Sequence, residues 1–286
     1  MLKLKLLVFL VLYVFLKFSY VEVKNFLHRG KVMLDFINVG QGDSILITTP
    51  FGKKILIDGG PNYDSDIFID DRLPFFNCFI DYVVLTHPDA DHLTGVNRVL
   101  KRCKVGLLVF PEVALDSKLY QDFIKTVKTA EGLDKQSNKS FSAVLDGATF
   151  YFLFPSESAN LEIKNTNDYS VFLCLDYGSF EALFTGDAST RVLKSMVPVI
   201  KDRCNINGPL EVLKVPHHGS KYNYDEYFVD ELKPLTAVIS VGRNKFGHPD
   251  PQIIDKYLKN KASVLRTDTS GTISIVVHKD KSFKLN

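Results

Sequence analysis

THPDADH, residues 86–92, follows directly on the apolar run DYVVL, residues 81–85. His87, Asp89, Asp91 and His92 thus crowd imidazoles and carboxylates against the end of a short buried strand. Pro88 restricts His87 to extended backbone. A tight loop there can turn His87 and Asp89 toward one cation and Asp91 with His92 toward another. Nitrogen and oxygen ligands without sulfur suit Zn²⁺, Mn²⁺ or Fe²⁺. A purely structural role is open for Asp91, which stands where a helix cap would precede LTGVNRVLKRC (93–103). That segment puts Leu93, Val96, Val99 and Leu100 on one helical side.

Outward from this point the same arrangement recurs. Apolar runs predict strands over 32–39, 45–49, 53–58, 105–110, 149–154, 170–175, 180–184, 210–216, 235–242, 262–267 and 272–278. Helices are expected over 191–200, 225–232 and 251–260, the last opened by Pro251. Residues 117–133 can form a helix, and DKQSNKS (134–140) reads as a loop. Asp58, His87 to His92, Asp187, His217, His218 and His248 all stand at or just past the ends of predicted strands, and five of the chain's seven His lie at such positions. Strand ends are where α/β folds gather their sites. Strands alternating with helices indicate an α/β chain, and SESANLEIKNTND (156–168) is the nearest thing to a seam between halves.

The bulk numbers narrow the possibilities less. Thirty-five Lys and Arg against 33 Asp and Glu leave a net charge of +2, so charge alone does not announce a nucleic-acid binder. Residues 1–24 differ from the rest: Lys3 and Lys5 precede an unbroken apolar run from Leu6 to Leu16. That length suits a signal-peptide core better than the roughly 20 residues of a membrane span. A cleaved signal peptide and an N-terminal membrane anchor are both open, and either places the remainder outside the cytoplasmic membrane. The four Cys include no CxxC pair of the kind that marks a zinc knuckle or a redox site. Cys174, in VFLCL, reads as a core residue, and an exported chain permits disulfides that the sequence cannot pair.

THPDADH, FTGD (184–187), LKVPHHGS (213–220), FGHP (246–249) and LRTDTSG (265–271) occur in this order, with VGQGDS (39–44) ahead of them. In this the chain resembles the metallo-β-lactamase-fold hydrolases, and within them the extracytoplasmic domain of the ComEC-type competence (DNA-uptake) proteins. The resemblance spans residues 30–280 and leaves out the polytopic channel of those proteins. It implies a four-layer αβ/βα sandwich, one catalytic domain over 30–280 whose halves meet near 156–168, and two divalent ions, Mn²⁺ or Zn²⁺. His87 and Asp89 would hold the first ion, Asp91, His92 and His217 the second, and Asp187 both. Between the adjacent histidines His217 is favoured as the ligand, leaving His218 to orient substrate or move a proton. Asp58 would fix the metal loop or orient the attacking water, and Asp43 or Ser44 would support the site. Asn167, Ser220, Lys221, His248 and Arg266 are the expected substrate contacts. Each of the last four has a structural alternative: a turn, a solvated charge, a loop organiser or helix cap, and a pair with Asp268.

Two departures stand out. Asp89 replaces the middle His of the family's HxHxDH, which favours harder ions such as Mn²⁺. No His lies between His92 and His217, and Asn167 or Asp168 comes near where the family's third His belongs. The first ion would then be the weaker one. The function implied is phosphodiester hydrolysis by metal-activated water, with DNA, single-stranded above all, as substrate. A separate membrane DNA channel would be its partner. Two alternatives are an extracellular small-molecule phosphoester or lactone hydrolase, and a non-catalytic binding module. KRCK (101–104) and KVPHHGSK (214–221) are short candidates for a basic groove.

Overall fold

The structure is a computed structural model that describes residues 29–62, 78–158, 164–206, 208–278, 280 and 282–285, with 5–9, 11–13, 15, 16, 19 and 23 near the N-terminus. The leader reading falls in part outside the described residues. Among those described, no helix is long and apolar enough to cross a membrane.

The first sheet contains β1 (Val32–Phe36), β2 (Ile45–Thr48), β3 (Lys54–Ile57), β4 (Phe79–Val84), β5 (Lys104–Phe110) and β6 (Asp134–Ser137). The second contains β7 (Phe141–Leu145), β8 (Ala148–Leu153), β9 (Phe172–Asp176), β10 (Glu181–Phe184), β11 (Val212–Lys214), β12 (Thr236–Ile239) and β13 (Ser263–Arg266). The chain then returns to the first sheet with β14 (Ile273–Val277) and β15 (Phe283–Leu285). Strand orders are β15-β14-β1-β2-β3-β4-β5-β6 and β13-β12-β11-β10-β9-β8-β7. Both sheets are mixed.

Alternation along the strands explains the layering. Val32, Leu34, Phe36, Ile45, Ile47, Ile55 and Ile57 face Phe150, Phe152, Leu173 and Phe184 between the sheets. The other side of the first sheet, including Leu46, Leu56 and Val83, is covered by α1 (Ala90–Arg102) and α2 (Lys118–Thr129). The short α3 (Pro155–Ser158) follows β8. The outer side of the second sheet is covered by α4 (Thr190–Arg203), α5 (Glu226–Leu232) and α6 (Pro251–Lys259). Strands buried on both faces read as continuous apolar runs, which is why DYVVL and VFLCL show no alternation. The result is the expected four-layer α/β sandwich.

Three local readings differ. DKQS, expected as loop, is the strand β6. It is a sheet edge, where polar and charged residues are ordinary. FSAVL and ATFYFL form a hairpin closed by Asp146 and Gly147, both at positive φ; Asp-Gly between apolar runs is the sequence signal for that turn. The chain changes sheets at residues 138–140, ahead of the 156–168 stretch suggested as the seam, which instead links β8 to β9 within one sheet.

Topology brings the ligand-type residues together. β3, β4 and β5 run parallel, as do β10, β11, β12 and β13. The C-terminal ends of β3 and β4 and of β10 and β11 therefore carry Asp58, His87, Asp187 and His217 to one edge of the sandwich. A close glycine contact seats α1 there. A Cβ on Gly95 would lie 1.9 Å from the Gly59 oxygen, so nothing larger fits without moving the helix that carries Asp91 and His92.

Candidate metal centre

The imidazoles of His87, His92, His217 and His218 point their Nε2 atoms at one carboxylate. Asp187 Oδ2 lies 4.0, 3.5, 3.7 and 3.5 Å from them respectively. Asp91 Oδ2 is 3.3 Å from His218 Nε2 and 3.9 Å from His92 Nε2, and Asp89 Oδ2 is 3.8 Å from His87 Nε2. His87, His92, His218 and Asp187 are buried, whereas Asp89 and Asp91 face the mouth.

Each Nδ1 is committed elsewhere, and the partners fix the tautomers. His92 Nδ1 donates to Asp58 Oδ2 at 2.8 Å, and His218 Nδ1 to the Ser240 carbonyl at 2.8 Å. Thr86 Oγ1 donates to Asp58 Oδ2 at 2.7 Å, so it can only accept from His87 Nδ1, 3.0 Å away. Asn223 spends its amide N–H groups on the carbonyls of Asp187 and Ala188, which turns its Oδ1 to His217 Nδ1 at 2.9 Å. All four rings therefore present a bare Nε2 lone pair to a carboxylate when neutral. His87 Nε2, His92 Nε2 and Asp187 Oδ1 are buried without a hydrogen-bond partner. Lone pairs and carboxylates converge this way around a cation, with the far ring nitrogen anchored behind. The donor set fits divalent metal ions.

Electrostatics of the metal-free cluster agree. Burial, then the charge on His92, pushes the His87 pKa down to about 3, which leaves a neutral ring. Burial opposes charge on His92 and His218 too, but Asp187, with Asp58 and Asp91 at His92 and with Asp91 at His218, holds both above the ordinary histidine value. Asp187 and Asp91 are in turn held below the usual carboxylate range by these histidines, against the effect of burial. Burial raises Asp89.

Strained backbone builds the cluster. Asp58, His217 and His218 have φ of 55°, 47° and 53°. Left-handed backbone at non-glycine residues costs energy and gathers at functional sites. Two such residues in succession splay the adjacent rings, 80° apart in plane.

The structure groups His218, rather than the favoured His217, with Asp91 and His92. His217 stands on the outer side, with Asn167 Nδ2 3.3 Å from its Nδ1. Asp58 touches Thr86 and His92 and orients the rings from behind. Asp91 lies in the first turn of α1, and the cap residue is Asp89, whose side chain makes no capping bond. Ser220 is buried, its Oγ accepting from Tyr222 N. Lys221 is exposed with its Nζ 5.1 Å from the Tyr222 ring centroid. His248 packs its ring 5.4 Å from that of His217, and the helix cap after it is Asp250. Arg266 is paired with Asp268, at 2.7 Å, the structural alternative foreseen for it.

The sequence reading missed Lys214. Its Nζ lies 2.6 Å from Asp43 Oδ2, both side chains buried, and donates to the Val215 carbonyl. Asp43 Oδ1 is 3.5 Å from His218 Nδ1, so the pair lies directly behind the centre. A lysine inside the apolar run LEVLKVP was the available signal, since Lys is almost never buried unless paired.

This fold and this centre define a class. Residues 37–243 match the family model of the metallo-beta-lactamase superfamily, and the chain belongs to that superfamily. It is 28% identical over 258 residues to ComE operon protein 3 of Bacillus subtilis, covering 84% of this chain and 32% of that protein. It is also 28% identical over 253 residues to Recombination protein 2 of Haemophilus influenzae, covering 87% and 29%. The chain thus spans about a third of the length of these relatives. Among solved structures, the metallo-beta-lactamase fold protein YhfI from Bacillus subtilis superposes with a TM-score of 0.54 at 13% identity, over 89% of this chain and 100% of that one.

Proposed function

We propose that this chain is a metal-dependent phosphodiesterase that cleaves DNA outside the cytoplasmic membrane. The observation that carries the hydrolase reading is the convergence of four Nε2 lone pairs on Asp187. His87, Asp89 and Asp187 would hold one divalent ion, and Asp91, His92, His218 and Asp187 a second, with His217 at the outer side. Bound ions would ease deprotonation of a water and neutralise charge on phosphoryl oxygens. The chain's own residues do the rest. Asp58 and Thr86 hold His87 and His92 in register, and Asn223 fixes the His217 tautomer. His217, part-exposed beside the carboxylates, is placed to contact a substrate oxygen or a leaving group.

DNA as substrate is supported by the ordered motifs shared with DNA-uptake proteins and by the relative named Recombination protein 2. Action outside the membrane is supported by the N-terminal apolar run and by two disulfides, Cys78–Cys103 and Cys174–Cys204, which suit an oxidising compartment. A separate membrane DNA channel would then be the partner. The test is cleavage of single- and double-stranded DNA by metal-stripped protein resupplied with Mn²⁺ or Zn²⁺, beside Asp187→Asn. Metal-dependent cleavage that the substitution lowers by at least about 10²-fold is expected. Intact DNA with either metal would sink the nuclease reading, and hydrolysis of small phosphoesters or lactones instead would put the alternative in its place.

A further inference from the structure

Phe246 is 74% exposed, yet its loop is built to hold it. The Asn244 side chain spans the loop: its amide donates to the carbonyls of Gly242 and His248 at 2.8 and 2.7 Å. Its oxygen accepts from the backbone N–H groups of Phe246 and His248 at 3.0 and 3.1 Å. Gly242 packs so closely on the β1–β2 loop that a Cβ there would lie 2.3 Å from the Gly40 carbonyl carbon. A lone exposed phenylalanine needs no explanation. One fixed on a braced loop beside a metal centre does.

From this ring a row leads inward. Phe246 lies 5.8 Å from His248 between ring centroids, His248 lies 5.4 Å from His217, and His217 Nε2 lies 3.7 Å from Asp187 Oδ2. Arg243 and Lys245, both exposed, precede Phe246 in the same loop. The neighbouring loop repeats the combination with Lys221 beside Tyr222, itself 75% exposed. The two loops are joined by Asp250 N donating to the Gly219 carbonyl at 2.9 Å. Exposed aromatic faces interleaved with cations fit a single-stranded nucleic acid, whose unpaired bases stack while its phosphates meet the charges. A duplex keeps its bases stacked on each other and has no use for such a face.

We infer that Phe246, backed by His248, is a base-stacking shelf that receives an unpaired DNA base next to the phosphate held at the metal centre. This rests on the phosphodiesterase reading above and names the strand form it acts on. The shelf makes the enzyme prefer single strands, and it acts on substrate binding, not on the reacting atoms.

Binding and cleavage are read separately. The full-length chain in detergent is titrated with a short single-stranded oligodeoxynucleotide carrying 2-aminopurine, in Ca²⁺, whose bound water stays protonated at neutral pH. Wild type should quench the fluorophore by stacking at one position. Phe246→Ala should lose that quenching and raise Kd about tenfold, and Phe246→Trp should restore both. Phe51→Ala, an equally exposed phenylalanine in the β2–β3 turn at the opposite end of the sheet, should change neither. Duplex of the same sequence should bind Phe246→Ala and wild type alike. Equal Kd and quenching for wild type and Phe246→Ala, no binding of the single strand, or equal losses for single strand and duplex would each overturn the shelf. Cleavage of the same oligonucleotide in Mn²⁺ tests the phosphodiesterase reading by itself: no cleavage with intact quenching sinks that reading and leaves the shelf standing.

Discussion

Asp58 illustrates how a residue that never reaches the reaction can govern it. It accepts from the Thr86 backbone and hydroxyl and from His92 Nδ1, and so sets the ring nitrogens of both histidines of THPDADH. Asp58→Asn keeps the shape but removes the charge, and its amide can face His92 Nδ1 with a second donor. Metal affinity should fall about 10–100-fold, measured by calorimetric titration with Mn²⁺, while the fold persists by circular dichroism. A pH dependence follows at the same scale. Burial works against charge on His92, but Asp187, Asp58 and Asp91 raise its pKa above the ordinary histidine value, which favours a protonated ring in the metal-free protein. A divalent ion competes with a proton on that ring. Binding should therefore release protons, seen as a calorimetric enthalpy that changes with the buffer's ionisation enthalpy, and apparent affinity should fall as pH falls. His87, already neutral, adds nothing to that release.

At the scale of elements, the centre sits on a joint between the two sheets. Lys214 ends β11 of the second sheet, and Asp43 lies in the loop between β1 and β2 of the first. Their buried contact couples the sheets immediately behind His218. Lys214→Met leaves Asp43 buried without its cation. Such a break costs about 3–5 kcal/mol, whereas replacing both partners costs less. Chemical denaturation of Lys214→Met, Asp43→Asn and the double variant should give a double variant more stable than the sum of the two losses. Additive losses would show that the pair does not act as a unit.

The whole molecule is closed by its covalent links as well as its core. Cys78–Cys103 ties the start of β4 to the end of α1, and Cys174–Cys204 ties β9 to the end of α4, so each outer layer is stapled to the sheet beneath it. Loops of 25 and 30 residues are closed. In the chain-entropy account each contributes about 3–4 kcal/mol. Denatured, unreduced protein should contain no free thiol by reagent titration, and reduction should lower the melting temperature markedly. Reactive thiols in the unreduced protein would refute the pairing and weaken the case for an oxidising compartment.

What could be read without coordinates was local. THPDADH, FTGD and LKVPHHGS announced imidazoles and carboxylates at strand ends, and their order marked the superfamily, because ligand identity and spacing within a loop are written in consecutive residues. The alternation of strands and helices was legible from the lengths and apolar character of the runs, and the four layers followed from the family resemblance. The misread piece was one where short-range signals are absent: polar DKQS pairs because β5 lies beside it. Which of His217 and His218 meets Asp91 belonged to the tertiary structure alone. Two successive left-handed residues set the ring directions, and the carboxylate that meets His218 is 127 residues away. The same holds for Lys214 against Asp43, for the disulfide partners, and for the row of rings from Asp187 out to Phe246. A contact between distant segments depends on how whole sheets pack, and packing is decided by the summed burial of both faces, which no single stretch of sequence contains.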